Sequence, residues 1–126
     1  MKLKRATKKD WAEIRRLIEL YPNQLMQENI PRPEKFFVAK EGRRIVGCCA
    51  LDIYSPRIAE VRSLAVLKCL WGRGIGKRLV EACIRKARAK KIYELFAITS
   101  KTGLFKQLGF DTFQQEKTAL FKKLGS

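Results

Sequence analysis

A single α+β domain containing one β-α-β unit is predicted by three features of this 126-residue chain. An apolar, strand-like run from Ile58 to Val66 leads into the glycine-rich stretch Gly72-Arg73-Gly74-Ile75-Gly76, which opens a long amphipathic helical pattern. A second apolar stripe of helical period lies near the N-terminus, and β-rich runs follow it. The length and the 46% hydrophobic share suit one globular unit, residues 1–126, with no linker dividing it.

The elements follow in chain order. Thr7 with Asp10 three residues later signals a helix start, and Trp11, Ile14, Leu17, Ile18 and Tyr21 form one apolar stripe that Pro22 ends. From Asn23 to Pro33 the pattern is polar and broken by Pro31 and Pro33, which predicts a loop or short helix bordering a pocket. Phe36 to Ala39 and Ile45 to Ile53 are strands joined by a hairpin at Glu41-Gly42-Arg43. On the third strand, Ile58 to Val66, unbroken alternation puts Glu60, Arg62, Leu64 and Val66 on one face, and a bulge shifts that assignment. After the glycines, Leu79, Val80, Cys83, Ile84 and Ala87 share one helical arc, opposite Arg78, Glu81, Arg85 and Arg88. Leu95 to Ile98 reads as a short strand, Leu104 to Leu108 as a helical turn closed by Gly109, and Phe110 to Phe113 with Ala119 to Phe121 as a terminal strand pair.

A glycine loop that opens a helix presents amides without internal partners and the positive end of the helix dipole, a setting suited to an anion such as phosphate. A plain connection uses glycines in the same way. A Walker-type loop is excluded, because Gly76-Lys77 is followed by Arg78 and not by a hydroxyl residue. A dinucleotide fingerprint is excluded as well, because Leu79 stands where its third glycine belongs.

Lys+Arg 28 against Asp+Glu 12 gives a formal charge of +16, which points to an anionic partner or to a solubilising surface. Cys48, Cys49, Cys69 and Cys83 show no C-x-x-C spacing and there is no histidine, so no metal site is expected. Cys48 and Cys49 are adjacent in a strand and point to opposite faces. The start Met1-Lys2-Leu3-Lys4-Arg5 lacks an apolar stretch, and no run reaches transmembrane length. A cytoplasmic protein with reduced thiols and no membrane partner is the expectation; its oligomeric state is not readable.

Taken together, Glu60-Val61-Arg62-Ser63-Leu64-Ala65-Val66, the loop Gly72 to Gly76 with its helix, and Leu104-Phe105-Lys106-Gln107-Leu108-Gly109-Phe110 resemble the GNAT superfamily of acetyl-CoA-dependent N-acetyltransferases. The resemblance covers nearly the whole chain and implies a mixed, twisted central sheet flanked by helices, with the β-α-β unit binding acetyl-CoA. The family's loop is usually Gln/Arg-x-x-Gly-x-Gly/Ala, and Trp71 stands here at its first position. Within the family the chain is similar to short N-acetylglutamate-synthase-like proteins, through Arg62 to Val66, Ile98-Thr99, Leu104-Phe105, Pro31-Arg32 and Phe36-Phe37-Val38-Ala39.

The resemblance implies direct attack of an amine on the acetyl thioester. No covalent enzyme intermediate forms, so Cys69 and Cys83 are expected to be small buried hydrophobes. Glu60 stands at the general-base position, where burial raises its pKa; a carboxylate paired to Arg62 is the alternative. The Val66 amide is the expected donor to the developing oxyanion. Leu64, Ala65 and Val66 are expected along the pantetheine arm. Gly72, Arg73, Gly74, Ile75, Gly76 and Lys77 are expected at the pyrophosphate. Phe105 replaces the tyrosine that protonates the leaving thiolate in many members, leaving water, Tyr54 or Tyr93 as alternatives, or a thiolate that needs no acid.

Arg32 and Arg62 are candidate clamps for an acceptor carboxylate, with glutamate or another small amino acid as acceptor; a protein amine or a polyamine is the alternative. Two further readings stay open. One is a basic nucleic-acid-binding module, carried by Lys77, Arg78, Arg85, Lys86, Arg88, Lys90 and Lys91 without interleaved aromatics. The other is a non-catalytic acetyl-CoA-binding regulator, suggested by Trp71 and Phe105.

Overall fold

The computed structural model describes residues 1–112, 120, 122, 124 and 125. Of the terminal strand pair expected at Phe110–Phe113 and Ala119–Phe121, Phe113, Ala119 and Phe121 lie outside the described residues. Phe110 to Thr112, which are described, are not strand.

The described chain forms a five-stranded sheet in the order β1 (Lys2–Arg5), β2 (Phe36–Glu41), β3 (Arg44–Ile53), β4 (Ile58–Val66) and β5 (Glu94–Phe96). The first four strands pair antiparallel. β4 and β5 are parallel, joined through helix α2 (Ile75–Ala89), and this is the predicted β-α-β unit. Such a parallel pair needs a crossover, which α2 supplies. The sheet is therefore mixed, as the family resemblance implies.

Strand β1 is absent from the sequence reading. It arises from the charged start, where only Leu3 is apolar, and it pairs with β2 through Lys2↔Lys40 to Arg5↔Phe37. The hairpin stands as expected: Glu41 pairs with Arg44 across a two-residue turn in which Gly42 takes φ +60.

Two cores flank the sheet. Helix α1 (Trp11–Glu19) lays Ile14, Leu17 and Ile18 over Phe36, Val38, Cys48 and Ala50, while α2 lays Leu79, Val80, Cys83 and Ala87 over Cys49, Leu51, Val61 and Leu64. Cys48 and Cys49 thus fall on opposite faces, as adjacent strand residues must. Helix α2 packs almost on the backbone of β3: a Cβ at Gly47 would lie 3.0 Å from Leu79 Cδ1 and 3.2 Å from Ile75 Cγ2. Cys83 is buried, but Cys69 is exposed on a short 3-10 turn, so the expectation of a buried Cys69 is corrected. The turn follows β4 and buries Leu70 in the α2-side core, leaving Cys69 outside both cores.

A bulge breaks the alternation of β4. Cys48 pairs with Ala65 and Ala50 with Arg62, so Ser63 and Leu64 together oppose Cys49, with Ser63 at φ +58. The extra residue carries Leu64 and Val66 into the α2-side core with Ala59 and Val61, whereas Ala65 joins the α1-side core. Glu60 and Arg62 therefore do not share a face with Leu64 and Val66.

Candidate active site

Strand β5 pairs with β4 only at Ile58↔Glu94, Ala59↔Leu95 and Glu60↔Phe96, after which β5 ends and β4 continues to Val66. From Val61 onward the β4 edge has lost that neighbour. The gap is a cleft of about 520 Å³, walled on one side by Val61 to Val66 and the glycine loop. Its other wall is Ile98 to Lys101 with Leu104 and Phe105 of helix α3 (Thr102–Gln107). Of the residues expected at a donor, Leu64, Ala65, Val66, Gly72, Gly74, Ile75, Gly76 and Lys77 line the cleft. Arg73 does not; its side chain leaves the loop toward solvent, and the amide geometry does not depend on it.

The loop is shaped for bare amides. Gly74 caps α2 in the left-handed region at φ +79, a conformation that costs a residue with Cβ about 1 kcal/mol or more. The first intrahelical bond at this end runs from the Arg78 N–H to the Gly74 carbonyl at 3.1 Å. The amides of Ile75, Gly76 and Lys77 precede it and have no acceptor within the helix. They sit at the positive end of a 15-residue helix facing the cleft, an arrangement that favours an anion.

The end of β4 is held from three directions. The Leu67 N–H bonds the Val46 carbonyl at 2.9 Å, while the Val66 carbonyl accepts both the Tyr21 hydroxyl at 2.5 Å and the Trp71 indole N–H at 2.8 Å. The Val66–Leu67 peptide is thereby saturated. What Val66 offers a ligand is its own N–H, in the preceding peptide, and not its carbonyl. Tyr21 stacks on Trp71 with centroids 6.0 Å apart, and both line the cleft. In the sequence Tyr21 stands out only as the last member of the apolar stripe. The available signal was a hydroxyl-bearing residue at the stripe's last position, just before Pro22. Burial raises the Tyr21 pKa, so the hydroxyl stays a donor.

Glu60 is half-buried and lies outside the cleft lining, so the premise of burial at a strand centre fails. Its carboxylate accepts the Tyr54 hydroxyl at 2.5 Å and does not pair with Arg62. Burial and that carboxylate together push the Tyr54 phenol up to about 12. Phe105 is buried against Phe110 in the cleft wall, its ring edge-on at 5.1 Å, and has no proton to give. Tyr93 is 73% exposed and, like Tyr54, does not line the cleft.

The structure does not bring Arg32 and Arg62 together in the cleft. Arg32 has an 80% exposed side chain, meets only Glu34, at 3.8 Å, among the described residues, and is not part of the lining. Arg62 does line the cleft, but its guanidinium is engaged. Nη1 donates to Asp52 at 3.4 Å and Nη2 to the Asn29 carbonyl at 3.0 Å. Buried Asp52 also holds Lys35 at 2.8 Å. This chain of charges ties β3 and β4 to the segment between α1 and β2. Gln27 braces the same segment by donating to the Ile18 and Leu25 carbonyls at 3.1 Å each. Asp52 escaped the sequence reading because an acid in an apolar strand carries no periodic signal.

Comparison with known proteins gives the arrangement a context. The family described as the acetyltransferase (GNAT) family matches residues 3–110. An uncharacterized N-acetyltransferase of Chlorobaculum tepidum is 38% identical over 81 residues, 64% of this chain and 52% of that protein. The chain thus spans about half the length of that curated relative. A Mycobacterium tuberculosis protein solved in complex with CoA and NLQ superposes with a TM-score of 0.80 at 27% identity, covering 86% of this chain and 70% of that one. N-acetylglutamate synthase from Neisseria gonorrhoeae, complexed with coenzyme A and N-acetyl-glutamate, superposes with a TM-score of 0.77 at 27% identity. That match covers 92% of this chain and 30% of the synthase.

Proposed function

The chain belongs to the acetyltransferase (GNAT) family, and from that membership we propose that it moves the acetyl group of acetyl-CoA onto a primary amine by direct attack. The observation that carries the reading is the cleft itself, where the open edge of β4 meets the unpartnered amides of α2. These residues fit a long donor with a phosphorylated end. The amides of Ile75, Gly76 and Lys77 suit its pyrophosphate, and the β4 edge from Leu64 to Val66 suits an amide-bearing arm.

Acetyl-CoA supplies an activated thioester, whose C–S bond breaks as the free amine bonds to the acetyl carbon, the thiolate leaving and taking up a proton. The Val66 N–H, held in place by the saturated peptide beyond it, is assigned to the developing oxyanion. Glu60 is assigned as the base acting through water, since it sits on β4 directly before the cleft lining and the Tyr54 hydroxyl orients it. The Tyr21 hydroxyl is committed to the Val66 carbonyl and Phe105 carries no proton, so the leaving thiolate is assigned a proton from water.

The acceptor is proposed to be glutamate or another small amino acid. Support comes from the likeness to the Neisseria gonorrhoeae synthase complexed with N-acetyl-glutamate. Arg62, whose guanidinium is shared between Asp52 and the Asn29 carbonyl, holds in place the cleft wall against which that acceptor would rest. The proposal is tested by melting the protein with acetyl-CoA and by following CoA release across a panel of amines. A hundredfold excess of acetyl-CoA over its dissociation constant stabilises by about 2.7 kcal/mol. Gly74→Glu removes the shift by setting a carboxylate and a strained φ beside the amides. An unchanged melting curve with acetyl-CoA and with CoA overturns the reading.

A further inference from the structure

The cleft holds a contact that crosses it. Lys101 lies between β5 and α3, on the wall opposite α2, yet its ammonium rests 4.2 Å from the centroid of Trp71, the residue that precedes the glycine loop. Both residues line the cleft, so the side chain spans its mouth. The Lys101 backbone is fixed by an N–H bond to Thr99 Oγ1 at 2.9 Å. Among the described residues no carboxylate pairs with the ammonium, and the ring face is its partner.

The other cations of the cleft are placed differently. Arg62 is committed to Asp52 and to the Asn29 carbonyl, and Lys77 belongs to the first turn of α2, on the same side as the amides. Lys101 is the cleft-lining cation on the far wall. A partly exposed cation–π contact is weak beside a charge-assisted bond to a phosphate oxygen. A phosphate bound at the glycine loop would therefore compete with the ring for the ammonium.

We infer that Lys101 is a phosphate ligand for the donor, delivered from across the cleft and parked on Trp71 until the donor's phosphates seat on the amides of α2. This rests on the acetyl-CoA reading above and adds a residue to it. In consequence the donor is gripped from two walls, and Trp71, at the position where the family usually has Gln or Arg, serves as the rest for that cation.

The chain has two tryptophans, so a Trp11→Phe background leaves Trp71 as the sole indole reporter. CoA and phosphate-free pantetheine are titrated against this protein and against its Lys101→Met and Lys101→Arg variants. CoA is expected to change Trp71 emission as the ammonium leaves, and Lys101→Met is expected to start with altered emission. Lys101→Met should weaken CoA about tenfold while leaving pantetheine within about twofold, and Lys101→Arg should restore most of the CoA affinity. Equal weakening of CoA and pantetheine, or no weakening of either, overturns the inference while leaving the donor reading intact. Failure of the Trp11→Phe protein and of the unsubstituted chain to bind CoA overturns both.

Discussion

Trp71 donates its indole N–H to the backbone carbonyl of Val66 at 2.8 Å, and so ties the start of the glycine loop to the end of β4. The Tyr21 hydroxyl shares that oxygen, so one carbonyl joins the segment after α1, the strand edge and the loop. Replacing Trp71 by Phe keeps a ring for Tyr21 and Lys101 but removes one donor. The loss should be about 1 kcal/mol, or about 4 °C in melting temperature, with the acetyl-CoA shift retained. Thermal melts with and without acetyl-CoA check this; an unchanged apo melting temperature means that the bond contributes nothing to stability.

Glu60→Gln removes the carboxylate assigned to amine deprotonation and leaves the glycine loop untouched. A base acts only when ionised, and an ammonium acceptor needs it most where few acceptor molecules are already free amines. Turnover should therefore fall about 10²-fold or more at the acid end of the pH profile, with the gap narrowing as pH rises. The Michaelis constant for acetyl-CoA should hold. Wild-type turnover at every pH would assign Glu60 to the Tyr54 contact alone.

The backbone scaffold of the site was legible from Ile58 to Gly76, because local patterns report it: an apolar β run, glycines at a helix start, a helical apolar arc. The bulge at Ser63 was not legible, since nothing in Arg62-Ser63-Leu64 marks which residue doubles up, and one extra residue exchanged the faces of Leu64 and Val66. Side-chain partners across the sheet were equally hidden. Arg62 read as a free carboxylate clamp, yet Asp52, ten residues away in sequence and diagonal to it across the β3–β4 pair, takes part of its guanidinium. Lys101 and Trp71 meet only because the parallel strands splay apart and leave a cleft narrow enough for one side chain to cross. Long-range geometry of this kind leaves no period in the sequence.

Arg62→Lys keeps the charge and loses the planar fork that reaches Asp52 and the Asn29 carbonyl together. The segment between α1 and β2 forms the cleft wall at Tyr21, Gln24 and Leu25, so its loosening should act on the acceptor. The Michaelis constant for glutamate should rise about tenfold or more, while that for acetyl-CoA changes little. Arg32→Lys, at an exposed position outside the lining, should change neither. Steady-state kinetics in both substrates separate the cases, and a matching rise for acetyl-CoA would show a general loss of fold at β4.

Asp10 ties the start of α1 to the sheet and makes stability depend on acid. Its carboxylate accepts the Thr7 N–H at 2.8 Å and pairs with Lys40 of β2 at 3.1 Å. Burial pushes its pKa up, but the Thr7 N–H, the Lys40 ammonium and the nearby Lys4 outweigh this, so the folded value lies below the ordinary 3.8. Because the folded pKa is depressed, the stabilisation is fully present above the unfolded value near 3.8 and is lost as pH falls through the folded one. Asp10→Asn retains an acceptor for Thr7 but loses the charge facing Lys40. It should cost about 1–3 kcal/mol at neutral pH, a deficit that shrinks as pH falls below the unfolded value and the wild-type carboxylate takes up its proton. Urea unfolding of both proteins across the acid range measures the difference, and a deficit that stays constant down to the lowest pH would show that the carboxylate's charge is not what holds α1 to β2.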